Sequence, residues 1–198
     1  MSTGGTDIER NQGARAGVAL LVAGLLALAG LAAGAPTADG RGGGCARANA
    51  TINEGTAKQL AKALQCEINR NRAKRDLPAL RANAKLRTAA AKHNKVMIAE
   101  DCWSHDCPGE PGLERRIRNT GYLDGAKRWR FAENFGCAPT PRTMLKVWLE
   151  KRFQRRNIRS KAFRDVGVAA VRDQVAGLKA CDDGDEVTYT VVFAKRTG

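Results

Sequence analysis

The segment RWRFAENF, residues 128–135, has the alternating pattern of a β-strand. Its side chains alternate, so that Trp129, Phe131, Glu133 and Phe135 point to one face and the residues between them to the other. A carboxylate among aromatic side chains needs a hydrogen-bonding or cationic partner, because burying an unpaired charge is costly. We therefore expect Glu133 to lie in a polar site built against this strand.

Two further patterns flank the strand and point to the same site. Trp103-Ser104-His105 precedes it, and the run QRRNI at 154–158 ends a helical segment after it. The side chains expected to converge in one cleft are His105, Glu110, Glu133 and Gln154. With Glu110 or Glu133 as the orienting carboxylate, His105 would act as a general base or polarise a water. The alternatives are a divalent cation held by His105 and Glu133, or a buried polar cluster that only fixes the loop against the strand.

The first 35 residues are not part of the folded domain in this interpretation. Residues 17–35 form an uncharged run of Ala, Leu, Val and Gly that ends in small residues, as in a secretory signal peptide. An uncleaved N-terminal anchor is the alternative, because the run is nearly long enough to span a bilayer. Residues 36–50 are expected to form a flexible Gly-rich linker, and residues 51–198 a single domain.

The cysteine count agrees with export. All six cysteines follow the apolar run: Cys45, Cys66, Cys102, Cys107, Cys137 and Cys181. An even number in an exported chain predicts three disulfides, whose connectivity the residues alone leave open. A second interpretation makes Cys102, His105, Cys107 and Cys137 zinc ligands, or a Cys and His a nucleophilic pair, but exported thiols oxidise.

Hydrophobic spacing predicts the remaining elements. Helices are expected from Ala57, from Asn83, briefly from Leu113 and after Thr140-Pro141, with two further strands at 166–171 and 187–193. Helices mixed with a small, mostly antiparallel sheet indicate an α+β domain or a layered α/β/α domain. His93 lies on the apolar stripe of the second helix, where a histidine is more often a satisfied core residue than a ligand.

Charge points to the class of partner. The chain has a formal net charge of +14, which favours adhesion to anionic polymers or membranes. Helical spacing would place four arginines on one side as the surface for an anionic partner: Arg152, Arg155, Arg156 and Arg159. A merely solvated basic face is the alternative. Nucleic acid is not an expected partner outside the cell.

Taken together, these runs resemble the CAP superfamily (cysteine-rich secretory proteins, antigen 5 and pathogenesis-related proteins) in its bacterial secreted, SCP-like form. The resemblance extends over roughly residues 57–193, and its strength lies in the order and spacing of the runs. The matching runs are 66–69 with 77–80, 86–97, Ser104-His105, 116–117 with 121–122, Glu133-Asn134, Trp148, Arg155 with 157–158, 163–168 and 188–193.

The resemblance implies a three-layer α-β-α sandwich with an open cavity lined by two histidines and two acidic residues. His105 matches the first histidine, Glu133 the glutamate of the Gly-Glu-Asn motif, and Glu110 the other acid in some members. Gln154 stands where the second histidine is expected, and glutamine is a poor metal ligand that cannot take a proton. Both metal binding and hydrolysis are therefore in doubt for this chain.

The resemblance also suggests how the cysteines pair. It places the His105 loop beside the Glu133 strand, which makes Cys107 and Cys137 partners. Cys45 would then pair with Cys66, and Cys102 with Cys181. A local bridge between Cys102 and Cys107 is the competing arrangement.

We accordingly expect a secreted, monomeric binding module at the cell envelope or outside it. Its partner would be an anionic envelope polymer or lipid, with membrane contact through the N-terminal run if that run stays uncleaved. No cofactor is expected, apart from the divalent cation considered above. The alternative function is a metal- or water-dependent hydrolase using His105 and Glu133.

Overall fold

The computed structural model describes residues 7–10, 44–173 and 186–198, with the backbone alone for 7–10. The elements in chain order are β1 (Asp7–Arg10), α1 (Ala57–Ala73), β2 (Arg81–Ala82), α2 (Ala84–Ala99), α3 (Leu113–Arg118), β3 (Arg128–Ala138), α4 (Pro141–Glu150), α5 (Arg152–Arg159), β4 (Asp165–Val171) and β5 (Val187–Thr197). The predicted signal run at 17–35 and most of the Gly-rich linker lie outside the described residues, as does Cys181. Residues 7–10 belong to the segment expected to precede the domain, but they form β1 and pair with β3. Within the described part of the chain, no helix combines the length and the apolar character that crossing a membrane requires.

The strand predicted from RWRFAENF is β3, the second strand of a five-stranded sheet of order β1-β3-β5-β4-β2. It pairs antiparallel with β1 on one side and along its whole length with β5 on the other, where Glu133 is opposite Val192. β4 is antiparallel to β5, and the two-residue strand β2 pairs in parallel with the start of β4. The sheet is thus mostly antiparallel, as the sequence predicted.

Helices cover both faces of this sheet. α1, α4 and α5 pack together on one face, over Ala132 and Ala138 of β3. α2 and α3 lie on the other face, where Leu86 and Ile117 pack against Phe131. Because successive strand residues point to opposite faces, the alternation of β3 supplies one side chain in turn to each core. The predicted α-β-α sandwich is confirmed.

Local sequence signals explain where the helices begin. Thr56 and Gln59 form a capping box at the start of α1, and the Asn83 side chain accepts from the backbone N–H of Leu86 at the start of α2. Thr140 caps α4, with a proline at its first position. Lys151 then adopts extended backbone angles, φ −89° and ψ 129°, which separates α4 from α5.

A close approach of helix to strand fixes α2. A Cβ atom at Gly167 of β4 would lie 2.1 Å from the backbone nitrogen of Arg87 and 2.2 Å from the carbonyl carbon of Leu86. Only a glycine lets the first turn of α2 rest directly on the strand. This contact sets the height of α2 above the sheet, and with it the position of His93.

The disulfides correct part of the expected pairing. Cys45 is bonded to Cys66, as expected, with their Cα atoms 5.7 Å apart. Cys102 is bonded to Cys107 across a Cα separation of 5.8 Å, so the predicted Cys107–Cys137 and Cys102–Cys181 bridges are wrong. Cys137 is also disulfide-bonded. The local bridge closes the loop that carries His105, whereas the expected one would have tied that loop to β3.

Candidate functional site

Five buried side chains come together between α2, α3 and β3, and we call them the histidine–glutamate cluster: His93, His105, Glu110, Arg116 and Glu133. α2 supplies the first, the loop after α2 the next two, α3 the arginine and β3 the last. The loop is shaped by the Cys102–Cys107 bridge. It also contains two residues with positive φ, Asp101 at 46° and Gly109 at 75°.

The cluster consists of two histidine–glutamate pairs bridged by one arginine. Nδ1 of His93 lies 2.6 Å from Oε2 of Glu110, and Nδ1 of His105 lies 2.8 Å from Oε1 of Glu133. Arg116 donates from Nη2 to the same Glu133 oxygen at 3.0 Å and from Nη1 to Glu110 at 3.5 Å. It also donates to the backbone carbonyl of His105 at 3.0 Å, which ties the loop to α3.

Phe135 forms the apolar wall of the cluster. Its ring makes edge-to-face contacts with the rings of Trp103, His105 and His93, at centroid distances of 4.9, 4.6 and 6.0 Å. Phe135 stands two residues beyond Glu133 on the same face of β3. The alternation seen in the sequence therefore builds both the polar and the apolar side of the site.

Glu133 is fully buried, and its charge is stabilised by its neighbours. Burial alone would raise the pKa of this carboxyl. The hydrogen bond from His105 and the positive charge of Arg116 outweigh burial, so the pKa of Glu133 lies below its ordinary value. The carboxylate thus stays ionised at neutral pH, as an acceptor held by the cluster.

The cluster retains some unused hydrogen-bonding atoms. Among the described residues, Nε2 of His93 and Oε2 of Glu133 are buried without a hydrogen-bond partner. The same part of the chain contains no group of three or more His, Cys, Asp or Glu side chains arranged to hold a metal ion. The donor set therefore does not fit the divalent cation considered for His105 and Glu133, and no chemistry is derived through one.

The structure separates Gln154 from the cluster. Gln154 is buried at the start of α5, and its backbone carbonyl accepts a hydrogen bond from the Asn134 side chain at 3.2 Å. Asn157 donates to the same Asn134 side chain at 2.9 Å. Asn134 and Glu133 are neighbours in β3 and point to opposite faces of the sheet. α5 accordingly packs with α1 and α4, in the layer away from His105.

Sequence reasoning missed two members of the cluster. His93 is fully buried, as predicted, but it pairs with Glu110, which had been assigned to His105. Arg116 was not identified at all. It lies on the buried side of α3 with Leu113 and Ile117, and that spacing is a signal for an arginine facing inward, where it needs a carboxylate.

The four predicted surface arginines all lie on α5. We call this region, together with Phe153, the α5 surface: Arg152, Phe153, Arg155, Arg156 and Arg159. Arg152, Phe153 and Arg156 are exposed, while Arg155 and Arg159 are half-buried. The residues pointing inward from this helix are Gln154, Asn157 and Ile158.

Comparison with known proteins agrees with the fold and the site region. The model of the CAP family, the cysteine-rich secretory protein family, matches residues 66–193. The match covers more than half of the chain and all of the histidine–glutamate cluster. The chain belongs to the CAP family. A search among curated proteins found no match.

Solved structures with the same fold come from bacteria. An extracellular protein containing an SCP domain from Bacillus anthracis is 20% identical, with a TM-score of 0.58, over 72% of this chain and 42% of its own. An outer surface protein of Borrelia burgdorferi is 18% identical, with a TM-score of 0.58, over 71% of this chain and 96% of its own. A cysteine-rich secretory protein from Staphylococcus aureus is 15% identical, with a TM-score of 0.50, over 70% of this chain and 39% of its own. At these identities the likeness shows the fold, and this chain spans less than half of the Bacillus and Staphylococcus chains.

Proposed function

We propose that this chain is a secreted, disulfide-stabilised binding module whose α5 surface attaches to an anionic polymer or lipid of the cell envelope. The observation that carries the proposal is a surface helix that contains four arginines and no acidic residue. Disulfides belong to oxidising compartments outside the cytosol, and the structural neighbours are described as extracellular, secretory or surface proteins. Both facts support an exported protein at the envelope.

The α5 surface has an excess of positive charge. Arg152, Arg155 and Arg159 form no ion pair with a carboxylate among the described residues. Nη1 of Arg155 instead donates to the backbone carbonyl of Leu149 at 2.8 Å. Exposed cations without internal partners attract anions from solution, and the attraction weakens as salt is added.

Like charges accumulate where α1 ends beside α5. Partial burial, followed by the charges of Arg75 and Arg155, lowers the pKa of Arg159 from its ordinary value. A lowered pKa means that the neighbourhood disfavours the cation. A bound phosphate or carboxylate would relieve this repulsion, so the site favours an anionic partner.

The protein presents α5 from a rigid base. Arg72 of α1 is fully buried, and its Nη1 donates to the carbonyls of Ile158 and Ser160 at 2.8 and 2.9 Å. These bonds occupy carbonyl groups at the C-terminal end of α5, which would otherwise remain without partners. Rigid presentation lowers the entropy cost of binding.

An aromatic side chain stands among the cations. Phe153 is 45% exposed, and the guanidinium of Arg156 lies 5.3 Å from its ring centroid. Cations with an exposed aromatic ring suit the boundary between headgroups and acyl chains of an anionic membrane. The same surface would bind a phosphate polymer through its arginines alone. A contribution of Phe153 to binding therefore distinguishes a membrane from a polymer.

The test is co-sedimentation of the full chain with phosphatidylglycerol vesicles, compared with phosphatidylcholine vesicles and with binding to soluble polyphosphate. Reversing the charge of Arg152 and Arg156 (Arg152→Glu with Arg156→Glu) should weaken binding to the anionic probes at least about tenfold. The matched control is Lys127→Glu with Arg128→Glu, two exposed cations before and in β3, which should bind nearly as the wild type does. Equal losses in both variants would mean that net charge alone matters, and the α5 surface would be abandoned as the binding site.

The alternative function, a hydrolase built on His105 and Glu133, has no support in the fold comparisons. Glu133 is fully buried, and its Oε1 is shared between His105 and Arg116. A carboxylate held by two donors is a weak base, because both donors stabilise its ionised form. The cluster is therefore better suited to holding α2, α3 and β3 together than to activating a water.

A further inference from the structure

A second basic feature lies away from α5, in a groove between α1 and α2. The groove has a volume of about 780 Å³ and runs beside residues 166–170 of β4. Such a volume is typical of ligand sites. Neither the histidine–glutamate cluster nor the α5 surface contributes to its lining.

The floor of the groove is an open strand edge. β2 pairs only with Asp165 and Val166, so among the described strands residues 167–171 are paired with β5 alone. Asn83 N–H donates to the carbonyl of Val166 at 2.8 Å, which shows that Val166 directs its backbone groups towards the β2 side. Because backbone groups alternate along an antiparallel strand, Val168 and Ala170 present their N–H and C=O groups to the groove. A strand edge of this kind is a template for another strand.

The walls leave room for a further strand. Small side chains face the groove from both helices, with Ala57 and Ala61 on α1 and Ala91 on α2. The free stretch of β4 is five residues long (167–171), or roughly 17 Å at the rise of an extended chain. The groove is thus long enough for one extended segment, held between two helices that limit sideways displacement.

The rim of the groove is positively charged. The cations along it are Lys58, Lys62, Arg87, Lys92 and Lys95, all exposed, and none of the described residues that line the groove is an aspartate or glutamate. None of the five is in an ion pair with another described residue. Two of them come from α1 and three from α2, so positive charge lies on both sides of the strand edge.

We propose that this groove binds an extended acidic peptide segment, which adds to β4 as a further strand. Its backbone would exchange hydrogen bonds with Val168 and Ala170, and its carboxylates would face the lysines of α1 and α2. An anionic amphiphile would satisfy the cations and the alanines but would leave the backbone groups of the strand edge unpaired. The peptide accounts for all three features. The inference does not depend on the α5 surface.

The probe for the test is a fluorescein-labelled peptide of about ten residues with alternating Val and Glu, titrated with the full chain and followed by anisotropy. The control peptide has the same length and charge but carries proline in place of valine, which removes backbone donors. Wild type should bind the first peptide at least about tenfold more tightly than the second. Hydrogen exchange at the amides of Val168 and Ala170 should slow when the first peptide binds.

Variants locate the site and separate it from α5. Lys58→Glu with Lys62→Glu should weaken peptide binding at least about tenfold, whereas Arg152→Glu with Arg156→Glu should leave the preference for valine over proline unchanged. Equal binding of the proline peptide would overturn strand addition and leave only charge attraction. If oleate displaces the peptide and binds more tightly than the peptide does, the groove is a site for an amphiphile. Absence of peptide binding at low salt would also refute the proposal.

Discussion

The histidine–glutamate cluster and the α5 surface lie on opposite faces of the same sheet and use charge in opposite ways. In the cluster, Arg116 bridges Glu110 and Glu133, and each glutamate also contacts a histidine. In the α5 surface, four arginines lie on one helix that has no acidic residue, and Nη1 of Arg155 donates to a backbone carbonyl. The first group is buried and its charged members contact one another, whereas the second is largely exposed and its charged members are all cations.

A dense group of charged residues is therefore not by itself evidence of a catalytic or binding site. Buried charges that satisfy each other hold elements in place, because removing one leaves the others unpaired. Exposed charges of one sign on a surface attract a partner of opposite charge. In this chain, the residues that first suggested catalysis form the buried group, whose charges contact one another. The residues that suggest binding form the exposed, positively charged group.

The largest expected effect breaks the balance of the cluster. Glu133→Gln removes the charge that accepts from both His105 and Arg116, and should lower the free energy of unfolding by about 3–5 kcal/mol. Urea denaturation followed by circular dichroism measures this loss. The matched control is Glu114→Gln, which breaks the exposed pair with Arg118 and should cost less than about 1 kcal/mol. A stable Glu133→Gln protein would contradict the structural role of the cluster.

The pH dependence of stability should carry a signature of the same residue. The pKa of Glu133 lies below its ordinary value of 4.5 in the folded chain, so on acidification the unfolded state takes up the proton first. Its contribution is complete above about pH 5 and is lost as pH falls through the folded pKa. The difference in unfolding free energy between wild type and Glu133→Gln should therefore shrink below pH 4.5. A difference that grows on acidification would contradict a lowered pKa of Glu133 in the folded chain.

The smallest expected effect on stability sharpens the description of the α5 surface. Phe153→Ala removes a side chain that is 45% exposed, so the free energy of unfolding should change by less than about 0.5 kcal/mol. Binding to phosphatidylglycerol vesicles should nevertheless fall several-fold, because the ring no longer enters the interface. Unchanged vesicle binding, measured beside unchanged polyphosphate binding, would favour a polymer and argue against a membrane.

Most of the fold was accessible from the sequence because its signals are local. Alternation in RWRFAENF predicted the strand, and Thr140-Pro141 predicted the start of α4, which the structure confirms. The two-residue strand β2 was missed, since two residues carry no periodic pattern. The break at Lys151 was missed too, because it depends on how α5 packs under Arg72.

The site was less accessible because it depends on contacts between distant residues. His93 and Glu110 are 17 positions apart, and no spacing rule pairs a helix residue with a loop residue. Gln154 was expected beside His105, yet its carbonyl contacts Asn134, because α5 packs against the other face of β3. The Cys102–Cys107 bridge was the competing alternative and not the preferred pairing, because the choice between pairings depends on the shape of the loop.

Envelope attachment through the α5 surface is tested most directly by the salt dependence of binding of the full chain to phosphatidylglycerol vesicles. The attraction between exposed cations and an anionic surface is screened as the Debye length falls from about 14 Å at 0.05 M to about 4 Å at 0.5 M NaCl. We expect strong binding at the lower concentration and near-complete release at the higher one, with weak binding throughout for Arg152→Glu with Arg156→Glu. Binding that is unchanged across this range, or equal in the variant, would contradict the assignment of the α5 surface as the site of envelope attachment.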